Sequence, residues 1–559
     1  MASPLKAISA ATAAAALLSV NVLAAPVAIA MTPPVIDPGA LPPAETPGPP
    51  VPMRQAQACL VPAVIADPDV TAPAPGFTAL DIKQAWQYST GAGVTVAVID
   101  TGVTPNPRFP ALFPGGDYVQ GLENGGLTDC DNHGTVVASI IAAAPSDPKD
   151  RPAPKPAGAA KPPPAPGVPA NPAETPLPAA PPKPATVTVT APPLPASTVT
   201  APPPAPADAP PSPSDTPPGG ITPQDGAGIG DSKPQVPGPP PAGPDGVVGV
   251  APDATLISIR LASTLFTPAN GGDADEVHHK AGDVLSLAKA IRTAADAGAK
   301  VINVALAACI NAAVPVDQAA LGAAVRYASL DKDALVVAAA GNRNDPYQRD
   351  CGQNPPYNPL NTKDPRDWAG VHTIVSPAEY SDYVLAVGAV TPQGVPMPES
   401  IAGPWVGIAA PGTAIMGLAN TNGAAINAAP AEPGRANGLW GTSFSAAYVS
   451  GVAALVRAKY PHLTAHQVMQ RLIETAHNPA HGVDNQVGYG VIDPVAALTW
   501  DVPVGATRPV EHLRRQLHIP PPAPGPDTRP RTVALLTATG ILAAMGLAAG
   551  VVAIRRRIS

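Results

Sequence analysis

The sequence predicts an α/β fold built on a central, mostly parallel sheet, interrupted by a disordered Pro-rich insert and followed by one C-terminal transmembrane helix. Three observations predict it. Short runs rich in β-branched residues, Val94-Thr-Val-Ala-Val-Ile99, Ala254-Thr-Leu-Ile-Ser-Ile-Arg260 and Leu335-Val-Val-Ala-Ala-Ala340, have the near-continuous hydrophobicity of strands buried on both faces. Of 559 residues 81 are proline, and they crowd into a few segments rather than punctuating the whole chain. Thr532 to Ile554 carries no charge and exceeds the roughly 20 residues that a membrane-spanning helix needs.

The first run ends at Asp100, followed by Thr101-Gly102, so a carboxylate sits at the carboxyl end of a buried strand, where open α/β sheets place their sites. The glycine lets the chain turn and leaves the carboxylate free to accept from an imidazole. Asp131-Asn-His133-Gly-Thr-Val136 then opens an apolar helix with His133 near its N-terminus, and Gly134 allows close approach of a neighbour. Gly441-Thr-Ser443-Phe-Ser-Ala446 opens a longer helix, expected to run to about Lys459, whose N-terminus favours negative charge at an attacked carbonyl. The third strand runs into Gly341-Asn342. Asp-Thr-Gly or Gly-Thr-Ser alone is a common turn, so either match by itself is weak.

Together and in the order Asp, His, Ser, these motifs resemble the subtilisin-like proteases, whose triad has that chain order. The resemblance extends through Val301-Ile-Asn303-Val, Val384-Leu-Ala-Val-Gly388, Ala409-Ala-Pro-Gly412 and Val487-Gly-Tyr-Gly490, so it covers about residues 80 to 500 apart from one insert. It implies a three-layer fold, a serine endopeptidase with Asp100, His133 and Ser443 as catalytic residues, and an oxyanion hole formed by Asn342 with the Ser443 N–H. Two positions depart from the family pattern. Ala447 replaces the proline usual early in the serine helix, and Ala305-Leu306-Ala307 replaces Ser-Leu-Gly along the substrate groove.

The flanks read differently. Residues 1–30, with Lys6, an Ala/Leu/Val-rich stretch and Ala28-Ile-Ala30, read as a secretory signal peptide cut after Ala30, with Ala24 and Ala25 as alternatives. Residues 31–79 form an extension, expected to be a structural arm held by Cys59 because it is too short and Pro-rich for a folded inhibitory prodomain. Residues 145–245 form a Pro/Ala-rich insert with too few large apolar side chains to offset chain entropy. The Pro-rich stalk is expected over 501–531, the membrane helix over 532–554 and a cytoplasmic tail over 555–559. Arg555-Arg-Arg557 keeps that tail inside and the catalytic domain outside.

An exported chain with Cys59, Cys130, Cys309 and Cys351 is expected to hold two disulfides. Three pairings are possible. The favoured one joins Cys59 to Cys130, tying the extension beside the His133 motif, and Cys309 to Cys351, tying two loops that flank the groove strands. Ala56-Gln-Ala58 is a poor lipobox, so Cys59 is not read as a lipid anchor. His278 and His279, with Asp273, Asp275 and Glu276, match no common ligand spacing, and neither a metal nor a cofactor is expected. A net charge of -8 and the lack of a basic stripe interleaved with aromatics argue against a nucleic-acid partner.

Signal peptide, cysteine-bearing extension, protease domain, Pro-rich stalk and basic-ended membrane helix together resemble the mycosins, the membrane-anchored proteases of mycobacterial type VII (ESX) secretion systems. The insert after the His motif resembles that of the member serving ESX-5. This resemblance implies a periplasmic catalytic domain, an exported protein as substrate, association with the ESX membrane complex and a role in its stability. The competing reading is a structural component of that complex with proteolysis dispensable. A Pro-rich wall adhesin would explain the insert but leave the protease motifs without a cause.

Overall fold

The computed structural model describes residues 31–155, 235, 238, 243–269, 276–343, 350–431, 433–480, 482–513 and 529–558. The expected signal peptide, most of the insert, and Asp273 and Asp275 lie outside the described residues, as do the side chains of Glu276, His278 and His279. The chain divides into a unit up to Arg514 and a second from Arg515 onward.

The first unit is organised by a seven-stranded sheet. Its strands are, in spatial order, Val406–Pro411, Val384–Val390, Leu335–Ala339, Val301–Val304, Thr95–Asp100, Thr255–Arg260 and Leu112–Asp117. Every pairing in it is parallel, in keeping with the expected parallel sheet. Alternation along the Asp100 strand divides the interior. Val96 and Val98 enter one apolar cluster with the helices His133–Ala142, Thr442–Lys459 and Ala465–Glu474, while Ala97 and Ile99 enter another with Glu276–Asp296 and Ala319–Arg326. Burial on both faces explains why these strands are continuous apolar runs.

The Asp100 strand is also where the winding reverses. The next two strands in the chain lie on one side of it and the remaining four on the other. Its carboxyl end is thus a topological switch point, which leaves a crevice open there.

The extension is laid over this body. Ile36 is buried in the second cluster and its N–H donates to His512 O at 3.0 Å. Met53–Gln55 pairs antiparallel with Phe266–Pro268, and Ala63 exchanges backbone hydrogen bonds with Ala428. Sulfur bonds join Cys59 to Cys130 and Cys309 to Cys351.

Two segments expected to lie free of the body are in part held by it. Residues 501–513, expected as free stalk, are fastened to the body: Glu511 pairs with Arg326 at 2.6 Å, and Gln467 Nε2 donates to Gly505 O at 3.0 Å. The ends of the 145–245 insert are likewise held. Asp245 pairs with Arg108 at 2.8 Å, Arg151 with Asp253 at 2.9 Å, and Gly238 N–H donates to Val64 O at 2.7 Å. Composition hides such contacts because they are made by single charges and backbone groups, not by a patterned apolar face.

The second unit contains the helix Arg529–Ile558, which outruns the expected 532–554 at both ends. Its stretch Thr532–Arg557 has mean hydropathy 2.0 and its apolar window is wholly unburied, so by length and composition it can cross a membrane.

Candidate active site

Three elements converge at the crevice. Asp100 ends its strand fully buried, and one carboxylate oxygen accepts from Thr101 N–H at 2.6 Å and lies 2.8 Å from His133 Nδ1. The other ring nitrogen, Nε2, lies 2.9 Å from Ser443 Oγ. The residues expected from three distant motifs are therefore in a single hydrogen-bonded chain. Gly134 makes the approach possible: a Cβ there would lie 2.0 Å from Gly102 O. The Phe444 ring backs the imidazole with centroids 5.1 Å apart.

Asn342 is held by its acceptor. Its side-chain oxygen accepts from Thr442 N–H at 3.0 Å and from Thr442 Oγ1 at 3.1 Å, which leaves Nδ2 as the end available to a ligand. The space beside Gly441 brings the rest together: a Cβ built there would meet Ser443 Oγ at 3.3 Å and Asn342 Nδ2 at 3.4 Å. The Ser443 N–H belongs to the first turn of its helix, where backbone donors have no intrahelical acceptor. The Ser443 hydroxyl and the Asn342 donor thus border one small volume.

Electrostatics favour a charged imidazole. Burial pushes the His133 pKa down, but Asp100, by charge and hydrogen bond, together with Asp129 and Asp131, outweighs it and holds the pKa above its ordinary 6.5. Asp129 is buried, and burial pushes its carboxyl up to about 6 despite hydrogen bonds from Thr135 and Thr101.

The two sequence departures fall in different elements. Ala447 is fully buried inside a continuous helix, as expected of a good helix former. Ala305 and Ala307 follow the Val301–Val304 strand, at the same edge of the sheet as Asn342. A cavity of about 90 Å³ lies against His133, walled by Leu60, Pro62, Val136, Ala428 and Phe444. It shares Pro62 and Pro430 with a wider cleft of about 680 Å³. The motifs gave no sign of Asp129, nor of Leu60 and Pro62 reaching the site. An aspartate four residues before a histidine has no distinctive pattern, and the arm's path depends on tertiary contacts. Among the described residues no cluster of three or more His, Cys, Asp or Glu could hold a metal ion.

A uniformly parallel sheet with Asp, His and Ser joined at the carboxyl end of its switch-point strand defines a subtilase, a class of serine proteases. The subtilase family model matches residues 227–490, which begin beyond Asp100 and His133. The chain is 52% identical to Mycosin-2 of Mycobacterium tuberculosis over 97% of its own length and 98% of the relative's. It is 48% identical to Mycosin-5 of the same organism over 98% and 96%. The chain belongs to the mycosins. Among solved structures it resembles a chain of an intact ESX-5 inner membrane complex, with 42% identity, a TM-score of 0.65, and 93% and 99% of the two chains covered. It also resembles the serine protease MycP1, an essential component of the type VII (ESX-1) secretion system, with 39% identity, a TM-score of 0.63, and 84% and 100% covered. The identities to Mycosin-2 and Mycosin-5 do not single out the ESX-5 member.

Proposed function

We propose that this mycosin is a membrane-anchored endopeptidase that hydrolyses peptide bonds of exported proteins with Asp100, His133 and Ser443. The observation that carries this reading is the Asp100–His133–Ser443 hydrogen-bonded chain beside Asn342. Ser443 Oγ attacks the scissile carbonyl, and His133 Nε2 takes its proton and later gives one to the leaving amine. Asp100 holds Nδ1–H, fixing the tautomer and stabilising the imidazolium. Asn342 Nδ2 and the Ser443 N–H bind the oxyanion, each such donor contributing about 100- to 1000-fold in turnover. Because His133 must be neutral to act as base, kcat/KM rises with pH along a limb set by a pKa above 6.5.

In the proposed layout, 1–30 is the signal, 31–79 an arm, 80–500 the peptidase with its 145–245 insert, and the remainder a short tether, one spanning helix and a cytoplasmic tail. Arg555, Arg556 and Arg557 at the helix end favour a cytoplasmic C-terminus and an extracytoplasmic peptidase. Replacing Ser443 by Ala lowers kcat on the order of a millionfold while both disulfides and the thermal transition stay as in the parent. Peptidase activity of the purified Ser443→Ala chain equal to the parent's would end this assignment.

A second reading is favoured by one observation: the similar chain in the ESX-5 assembly is there as part of an inner membrane complex. In this reading the body also stabilises such a complex. Secretion and complex integrity are scored in a deletion strain carrying Ser443→Ala. Restoration of the complex without substrate processing assigns both roles, and failure of both refers them to proteolysis alone.

A further inference from the structure

We infer that Asp129 is a positioning residue for the peptidase, a buried carboxylate that locks the Asp100 turn to the His133 helix. This rests on the triad reading. The lock is reciprocal. Thr101, next to Asp100, accepts from Gly134 N–H at 3.0 Å and donates its hydroxyl to Asp129 Oδ1 at 2.9 Å. Thr135, two residues beyond His133, accepts from Thr104 N–H at 3.1 Å and donates its hydroxyl to Asp129 Oδ2 at 2.6 Å. Each threonine thus receives a backbone donor from the other's element, and both hydroxyl protons end on one carboxylate.

Two further donors complete it. Asp131 N–H reaches Oδ1 at 3.1 Å and Thr135 N–H reaches Oδ2 at 2.8 Å, so all four acceptor directions are used. Asparagine cannot reproduce this set, because its NH2 would face a backbone N–H and a hydroxyl that both donate. The carboxylate is held from outside as well. Cys130 is bonded to Cys59 on the arm, and Asp131 Oδ1 accepts from Thr264 N–H at 2.8 Å on the loop that follows the Arg260 strand.

Apart from the apolar packing of the helix on the strand, few contacts hold the two elements in register. The His133–Asp100 contact is a single hydrogen bond on a ring that is 29% exposed, and the remaining hydrogen bonds between the Asp100 turn and the helix end run through these threonines or through Gly134 itself. Because productive geometry is demanding, a small relative displacement costs rate without costing affinity. The charged groups around Asp129 are Asp100 on its strand, His133 on its helix, Asp131 beside it and Arg260 at the end of the neighbouring strand.

The test uses the full chain in detergent and a fluorogenic peptide selected from a random library for cleavage by the parent. Asp129→Asn is expected to lower kcat between about tenfold and a hundredfold with KM changed less than about twofold. It is also expected to move the acid limb of kcat/KM to lower pH, since a negative charge beside the imidazolium is gone. Thr135→Val should fall with it, and Thr135→Ser, which keeps the hydroxyl, should recover the parent rate. Parent-like kcat and an unmoved acid limb in Asp129→Asn overturn the inference, as does a lower kcat whose acid limb has not moved. If Asp129→Asn does not fold, the threonine pair decides: equal rates for Thr135→Val and Thr135→Ser overturn it. Ser443→Ala run alongside separates the two readings, because activity there removes the triad itself, whereas its inactivity beside a fully active Asp129→Asn removes only the positioning role.

Discussion

The helices Thr442–Lys459 and Arg529–Ile558 are both rich in Ala and Val, yet all but the last residue of the first is buried and the apolar stretch of the second is wholly exposed. Their polar groups differ in the same sense. In the first, Ser450 donates to Asn303 on a sheet strand at 2.8 Å and Arg457 reaches Asp333 at 3.0 Å, so partners come from other elements. In the second, Thr537 and Thr539 donate back to Val533 O and Leu535 O of their own helix at 2.9 and 2.8 Å. A helix in hydrocarbon must satisfy its polar groups internally, whereas a core helix can borrow from its neighbours. Apolar composition alone does not separate the two; the source of the hydrogen-bond partners does.

The largest effect that tests this contrast is removal of residues 514–559. The shortened chain should move from the membrane to the soluble fraction and keep Ser443-dependent peptidase activity; a product that stays with membranes after alkaline extraction would show that the first unit anchors itself. Smaller in scale is a matched pair of glycines. In Gly451→Ala the new Cβ would lie 2.5 Å from Val250 Cβ, and the catalytic unit should lose about 1–3 kcal/mol in denaturant unfolding. Gly546→Ala meets nothing within 4 Å, and should leave that transition unchanged while favouring its own helix by up to about 1 kcal/mol.

A pH-dependent effect concerns a polar group that the first unit encloses without full satisfaction. Glu379 accepts from Ser376 Oγ at 2.7 Å, its second oxygen has no partner among the described residues, and burial pushes its carboxyl up to about 8. The folded chain therefore keeps this proton while the unfolded chain releases it above about 4.5, so its contribution to stability is complete below that pH and is lost as pH rises toward 8. Glu379→Gln does not titrate, and its melting temperature relative to the parent should be higher at pH 8 than at pH 5. An equal difference at both values would show that Glu379 titrates alike in both states.

The strands were legible because burial on both faces leaves a continuous apolar run, and Val94 to Ile99 is such a run. The candidate triad was legible because each member sits in a motif whose neighbours serve local geometry: Gly134 for close approach, Gly441 for the open space before Ser443. Asp129 was not legible. Its proposed role comes from Thr101 and Thr135, which only the fold brings around it. Residues 501–513 failed in the opposite way, since a polar, Pro-flanked segment reads as a tether although Glu511 and His512 O bind partners far away in the chain.

By itself the sequence determined the features that local pattern dictates: the α/β class, the carboxyl-end position of Asp100, the helices that carry His133 and Ser443 in their first turns, and a C-terminal helix long enough to span a bilayer. Periodicity and motif geometry are short-range, so neighbouring residues suffice to specify them. Only the tertiary structure decided which cysteines join, where the extension and the insert ends lie, and how one buried carboxylate ties two catalytic elements together. Those outcomes depend on single contacts between residues far apart in the chain, where burial and hydrogen-bond satisfaction are settled by the whole fold.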